Sequence, residues 1–76
     1  MPKIGMNLKE KELAEDLRKR YGGMMTFQDV MFEIGVKHHL AGEKWVADVP
    51  CTVINGRKKW RVSDVARKLE RNTIYP

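Results

Sequence analysis

A single cysteine, Cys51, stands in the 76 residues. It allows no internal disulfide, and without a C-x-x-C pair there is no thiolate metal site to expect. No apolar run approaches the roughly 18–20 residues that a membrane-spanning helix requires. The opening Met1-Pro2-Lys3-Ile4-Gly5-Met6 has neither the apolar stretch nor the small-residue cleavage site of a secretory leader. The phosphate-loop pattern G-x-x-x-x-G-K-S/T is missing, so Gly22-Gly23 and Asn55-Gly56 read as turns. His38, His39 and Cys51 have the atom types of a zinc site, but adjacent side chains on a helix diverge and no fourth ligand presents itself. Nothing supplies the orienting third group of a cysteine–histidine nucleophile. These absences predict a cytoplasmic protein with no membrane contact, no metal, no cofactor and no catalytic apparatus.

What remains is a small globular chain, expected to form a single domain over 1–76. A chain this short buries only about 60% of the surface its unfolded form exposes, so one core must suffice. Composition agrees, with 42% apolar and 33% charged residues, which is globular rather than disordered usage.

The charge is unevenly spread. Residues 1–51 carry eight basic and eight acidic side chains, whereas 52–76 carry seven basic against two acidic, so the entire net charge of +5 sits in the last third. Such asymmetry points to a polyanionic partner, with nucleic acid ahead of an anionic membrane.

Periodicity locates the elements. Asn7 with Glu10 three places on reads as a capping box. Leu13, Ala14, Leu17 and Tyr21 then recur at helical spacing, predicting an N-terminal helix over 8–21, within a unit spanning 7–22, which Gly22-Gly23 ends. Thr26 caps a second helix with Asp29 at its third position, and Phe27, Val30, Met31 and Ile34 form one apolar stripe. Gly35 stops it. A third helix is expected from Lys37 to Val46, with Leu40, Ala41 and Trp45 inward, which leaves Lys37, His38, Gly42 and Glu43 on or near its outer face. Asp48-Val49-Pro50 breaks that helix. Thr52-Val53-Ile54, the turn dipeptide Asn55-Gly56 and the alternating Lys59-Trp60-Arg61-Val62 predict a β-hairpin. Ser63 is expected to cap a last helix over about 64–71, with Val65, Ala66 and Leu69 inward, followed by a loosely held tail over 72–76. Trp45 and Trp60 are assigned to the core, and the five methionines to filling gaps in it.

From Met25 to Leu69 this order of pieces resembles the excisionase-like and MerR-like winged helix-turn-helix domains of phage and mobile elements. The matching segments are Met25-Thr26-Phe27-Gln28-Asp29-Val30, Ile34-Gly35-Val36, Ala41 through Trp45, Asn55-Gly56-Arg57-Lys58-Lys59-Trp60-Arg61-Val62, and Ser63-Asp64-Val65-Ala66. His38-His39 and Gly42 depart from the small polar or aromatic residues usual in that group, and the helix over 8–21 lies outside the match. The resemblance implies a mainly α fold with a small β-hairpin, a winged helix-turn-helix over 25–71 preceded by an extra N-terminal helix. It implies a DNA-binding role, either as a recombination factor that bends DNA or as a small transcriptional regulator. A DNA-recognition part of phage packaging machinery and a module that binds an acidic protein are the alternatives.

The expected DNA-facing set is Thr26, Gln28, Lys37, His38, His39, Glu43, Lys44, Arg57, Lys58, Lys59 and Arg61. Lys37 and His38 would stand at the end of the reading helix that enters a major groove, while Glu43 would accept from cytosine N4. Arg57-Lys58-Lys59, placed at the hairpin tip, would repel one another unless an anion met them, and a duplex backbone or narrow minor groove supplies one. Arg67, Lys68 and Arg71 would either extend this patch or complement the C-terminus of their own helix. Double-stranded DNA is thus the expected partner, with a homo-oligomer or cooperative assembly on it and a recombinase or other phage protein alongside.

Overall fold

The structure, a computed structural model, describes residues 7–74. Four helices and a three-stranded antiparallel sheet follow one another as α1 (Leu8–Tyr21), β1 (Met24–Met25), α2 (Phe27–Ile34), α3 (His39–Val46), β2 (Cys51–Ile54), β3 (Arg57–Arg61) and α4 (Val62–Arg71). The fold is therefore mainly helical with a small sheet.

The local rules hold at the first two helices. The Asn7 side chain accepts from the Glu10 amide at 2.8 Å while Glu10 accepts from the Asn7 amide at 3.3 Å, closing the capping box. Thr26 and Asp29 do the same for α2, at 3.1 Å in both directions. Gly22 (φ 87°) and Gly35 (φ 77°) end the two helices in backbone that L side chains rarely adopt, and each donates back into its helix, to Arg18 and Met31.

The hairpin forms where the sequence places it. Asn55 (φ 52°) and Gly56 (φ 78°) both have positive φ, as a type I′ turn requires, and the turn fixes Ile54 opposite Arg57 and Cys51 opposite Trp60. The sheet has one strand more than the hairpin. Met24 and Met25 pair with Arg61 and Trp60, giving the order β1-β3-β2 with the basic strand in the centre. Met25, Trp60 and Cys51 thus form a row across the sheet, of which Met25 and Trp60 are sealed in the core and Cys51 is exposed.

That core joins Ala14 and Leu17 of α1, Val30 of α2, Val46 at the end of α3, Val49, Met25, Trp60, and Val62, Val65 and Ala66 of α4, with Leu13, Tyr21, Phe27, Ile34, Trp45 and Leu69 packed around it. Met31 is buried as well and Met24 half-buried, whereas Met1 and Met6 lie outside the described residues. Tyr21 closes the α1–α2 junction by donating to Glu33 at 2.9 Å, and Arg20 meets the same carboxylate at 2.8 Å. Burial first, then the bond to Glu33, holds the Tyr21 hydroxyl above the usual phenol range.

Three expectations are corrected. The third helix starts at His39 rather than Lys37; His38 is its N-cap and contributes no side-chain bond. Its buried face is Gly42 and Val46, with Trp45 half-buried, so Leu40 and Ala41 point outward and Gly42 does not. A Cβ on Gly42 would lie 2.9 Å from Met31 and from Phe27, which shows how closely α3 approaches α2 there. The last helix begins at Val62 without a side-chain cap, because Arg61 in extended backbone is its N-cap and the Val62 amide donates to the Gly23 carbonyl at 3.1 Å. Ser63 is already inside it. Asn72 and Thr73 are tied to α4 by backbone bonds and Thr73 also by its hydroxyl, while Tyr75 and Pro76 of the expected tail lie outside the described residues.

Candidate nucleic-acid interface

An open cleft of about 1150 Å³ lies between the start of α2, the inner side of α3 and the hairpin. Each wall has a clear origin. The capping box fixes Thr26 and turns Phe27 and Gln28 into the cleft. His39 and Glu43, one turn apart on α3, supply the second wall. Arg57, Lys58 and Lys59 supply the third, held at fixed register by pairing with Ile54, Val53 and Thr52. The floor is apolar and aromatic: Val46, Ala47, Val49, Cys51 and Trp60. His39, Phe27 and Trp60 form a tilted ring series, with centroid spacings of 5.5 and 6.0 Å.

Seven of the expected residues (Thr26, Gln28, His39, Glu43, Arg57, Lys58 and Lys59) are thereby brought around one cleft. Lys37 joins Gln28 and His39 in a smaller adjoining depression that Met31 completes. His38, Lys44 and Arg61 line neither, although all three are exposed. The basic triplet does not occupy the hairpin tip, which is Asn55-Gly56; it forms the start of the central strand β3. Strand alternation gives Lys58 the same face as Trp60, and Arg57, Lys59 and Arg61 the other.

The electrostatics divide the C-terminal cations into two groups. Arg67 stands 4.0 Å from both Glu10 and Asp64. Lys68 donates to the Asp48 carboxylate at 2.6 Å and to the Trp45 carbonyl, and lies 4.5 Å from the centre of the Trp45 ring. The hydrogen bond from Lys68, against a smaller opposing effect of burial, holds the Asp48 carboxyl below its usual range. These two side chains tie α4 to α1 and to the end of α3 and do not extend the patch. By contrast, no carboxylate among the described residues pairs with Arg57, Lys58, Lys59 or Arg61.

The apolar part of the cleft was not foreseen. Phe27 and Trp60 carry a helical and a strand periodicity that assign them to the core, and both do contact it; that they also floor a basic cleft depends on how α2 meets β3, which no local pattern encodes. Among the described residues no group of three or more His, Cys, Asp or Glu is arranged to hold a metal ion, and Cys51 is a free, exposed thiol. No helix among them is long and apolar enough to cross a membrane. Compared with protein-family models, with curated proteins and with solved structures, the chain matches none of them.

Proposed function

We propose that this chain binds double-stranded DNA with sequence selectivity, as a winged helix-turn-helix in which α2 and α3 are the helical pair, α3 enters the major groove and the β2–β3 hairpin holds the adjacent backbone. The observation that carries the reading is the shared cleft: His39 and Glu43 of α3 line it together with Arg57, Lys58 and Lys59 of β3, which no carboxylate among the described residues pairs. Crowding four cations on the five residues of β3 raises the local potential, and the phosphates of a nucleic-acid backbone are an array of anions that meets it. A domain of this size buries about 600–1,000 Å² on a duplex, so two or more copies acting together supply useful affinity. The biological setting that fits best is an excisionase-like recombination factor or a small transcriptional regulator of a phage or mobile element.

Duplex binding followed at rising salt tests this. Log affinity should fall linearly with log salt, by about 0.9 for each phosphate neutralised, with a preference for some sequences over competitor DNA. Replacing Arg57, Lys58 and Lys59 together by Ala should weaken binding to every sequence and flatten that slope. A protein that ignores duplex DNA at low salt would overturn the reading. Unchanged binding by the triple variant would remove the hairpin from the mechanism.

A further inference from the structure

The composition of α3 is turned inside out. It buries its glycine, Gly42, and exposes its leucine, Leu40, at 64% of full accessibility. At about 100° per residue, Gly42 and Val46 define the inward side, and the crest opposite them is Leu40 with Lys44 one turn on. Glu43 flanks that crest on the side of the cleft, with His39 further round toward the inward side, and the exposed Ala41 lies on the other. Core packing gives no reason for a leucine here.

A lone exposed leucine ordinarily needs no explanation. This one sits at the first turn of α3, on the side turned away from the core, with the exposed Lys37 and His38 just before it in the chain and Lys44 one turn on. The occupant that suits an isolated apolar point within a cationic rim carries an apolar group of methyl size set among anionic charges. A protein interface would need a wider apolar centre than Leu40 and Ala41 provide. In the major groove the C5-methyl of thymine is the apolar group presented at the base edge, with phosphates on either side.

Resting on the duplex-binding reading above, we infer that Leu40 is a specificity-determining residue of α3, packing on the C5-methyl of a thymine. The selectivity is thus partly apolar: the contact separates thymine from cytosine by its methyl group, while Lys44 on the same crest contributes charge without discriminating between the two.

The test uses duplexes selected from a random-sequence pool by the full chain. Each thymine is replaced in turn by deoxyuridine, which lacks only the methyl, and affinities are measured at constant salt for the unaltered protein, Leu40→Ala and Lys44→Ala. At one or more positions the unaltered protein should lose about fourfold in affinity, the worth of one buried methyl. Leu40→Ala should show no loss at those positions, and Lys44→Ala should bind thymine and uracil duplexes more weakly by the same factor. Leu40 is exposed, so its variant should melt with the unaltered protein. Selective, salt-dependent binding with uracil tolerated everywhere, or with equal uracil sensitivity in Leu40→Ala, would overturn the role of Leu40 and leave DNA binding standing. Failure to bind any duplex at low salt would overturn both. Capture of an acidic protein by way of Leu40, without duplex binding, would likewise overturn the thymine contact.

Discussion

Gly42 of α3 and Met31 of α2 are packed so closely that a β-carbon on the glycine would lie 2.9 Å from Met31 Cγ. The same β-carbon would stand 2.9 Å from Phe27 Cζ. Gly42→Ala therefore sets two effects against each other. Helix propensity favours alanine by up to about 1 kcal/mol, whereas overpacking costs about 1–3 kcal/mol. Neither neighbour yields readily, one being the middle of a buried side chain and the other a ring wedged between His39 and Trp60, so the steric effect wins. Thermal unfolding should show Gly42→Ala melting below the unaltered protein, and a melting point above it would mean that α2 and α3 separate easily.

The link between Asp48 and Lys68 predicts a pH dependence. A carboxyl whose folded-state pKa lies below its unfolded value contributes stability above the ordinary carboxyl range, and that stability is lost as pH falls through the depressed value. Asp48 is mostly exposed, so the effect is modest. Melting temperatures followed downward from about pH 5, above the ordinary Asp range, should fall more steeply for the unaltered protein than for Asp48→Asn. Parallel curves would show that the pair contributes nothing in solution.

Trp60 offers a separation of shape from polarity. Its ring is buried at 4% exposure, and its indole Nε1 has no hydrogen-bond partner among the described residues. Trp60→Ala should cost about 3–5 kcal/mol through the cavity it leaves. Trp60→Phe should cost far less, since it removes a buried donor that makes no bond and so recovers part of the lost packing. Denaturant unfolding of both variants checks the ordering, and equal losses would show that the indole N–H does find a partner.

Much of this architecture is legible in the sequence because it is local. Asn7 with Glu10, Thr26 with Asp29, and Asn55 with Gly56 each fix an element boundary by chemistry between near neighbours, and each is found where expected. The stripe Phe27, Val30, Met31 and Ile34 also faces the core. What escaped depends on long-range pairing. Two methionines carry no periodicity, so β1 is invisible until Arg61 and Trp60 lie opposite them. Leu40 outranks Gly42 on any hydrophobic scale, yet α2 comes too close for a side chain at 42, and that contact rotates the helix. In the sequence, Arg67 and Lys68 read either as an extension of the Arg57–Lys59 patch or as complements to the C-terminus of their own helix; only the positions of Glu10, Asp64 and Asp48 separate them from that patch.

The turn separates hairpin geometry from hairpin charge. Gly56 sits at φ 78°, with open space where a β-carbon would go, so substitution strains the backbone without a clash. Gly56→Ala should destabilise by about 1–2 kcal/mol and loosen the register that holds Arg57 opposite Ile54. Under conditions where the variant remains folded, duplex affinity should fall although no charge has changed. Retained affinity would indicate that the cations act without a fixed strand.

Arg57 and Arg67 carry the same charge in different surroundings, and comparing them tests whether position or net charge governs DNA binding. Arg67 stands between Glu10 and Asp64, so its field is largely cancelled where it sits. Arg57 has no acidic partner among the described residues and lines the cleft. Either substitution by Ala lowers the net charge by one. If overall charge drew the duplex, both would change the salt dependence alike. If the cleft holds the phosphates, Arg57→Ala should reduce the log–log salt slope by about 0.9, one phosphate contact, while Arg67→Ala should leave it unchanged. Affinities measured across a salt series for the two variants distinguish these outcomes, and equal slopes would mean that the cleft is not where DNA is held.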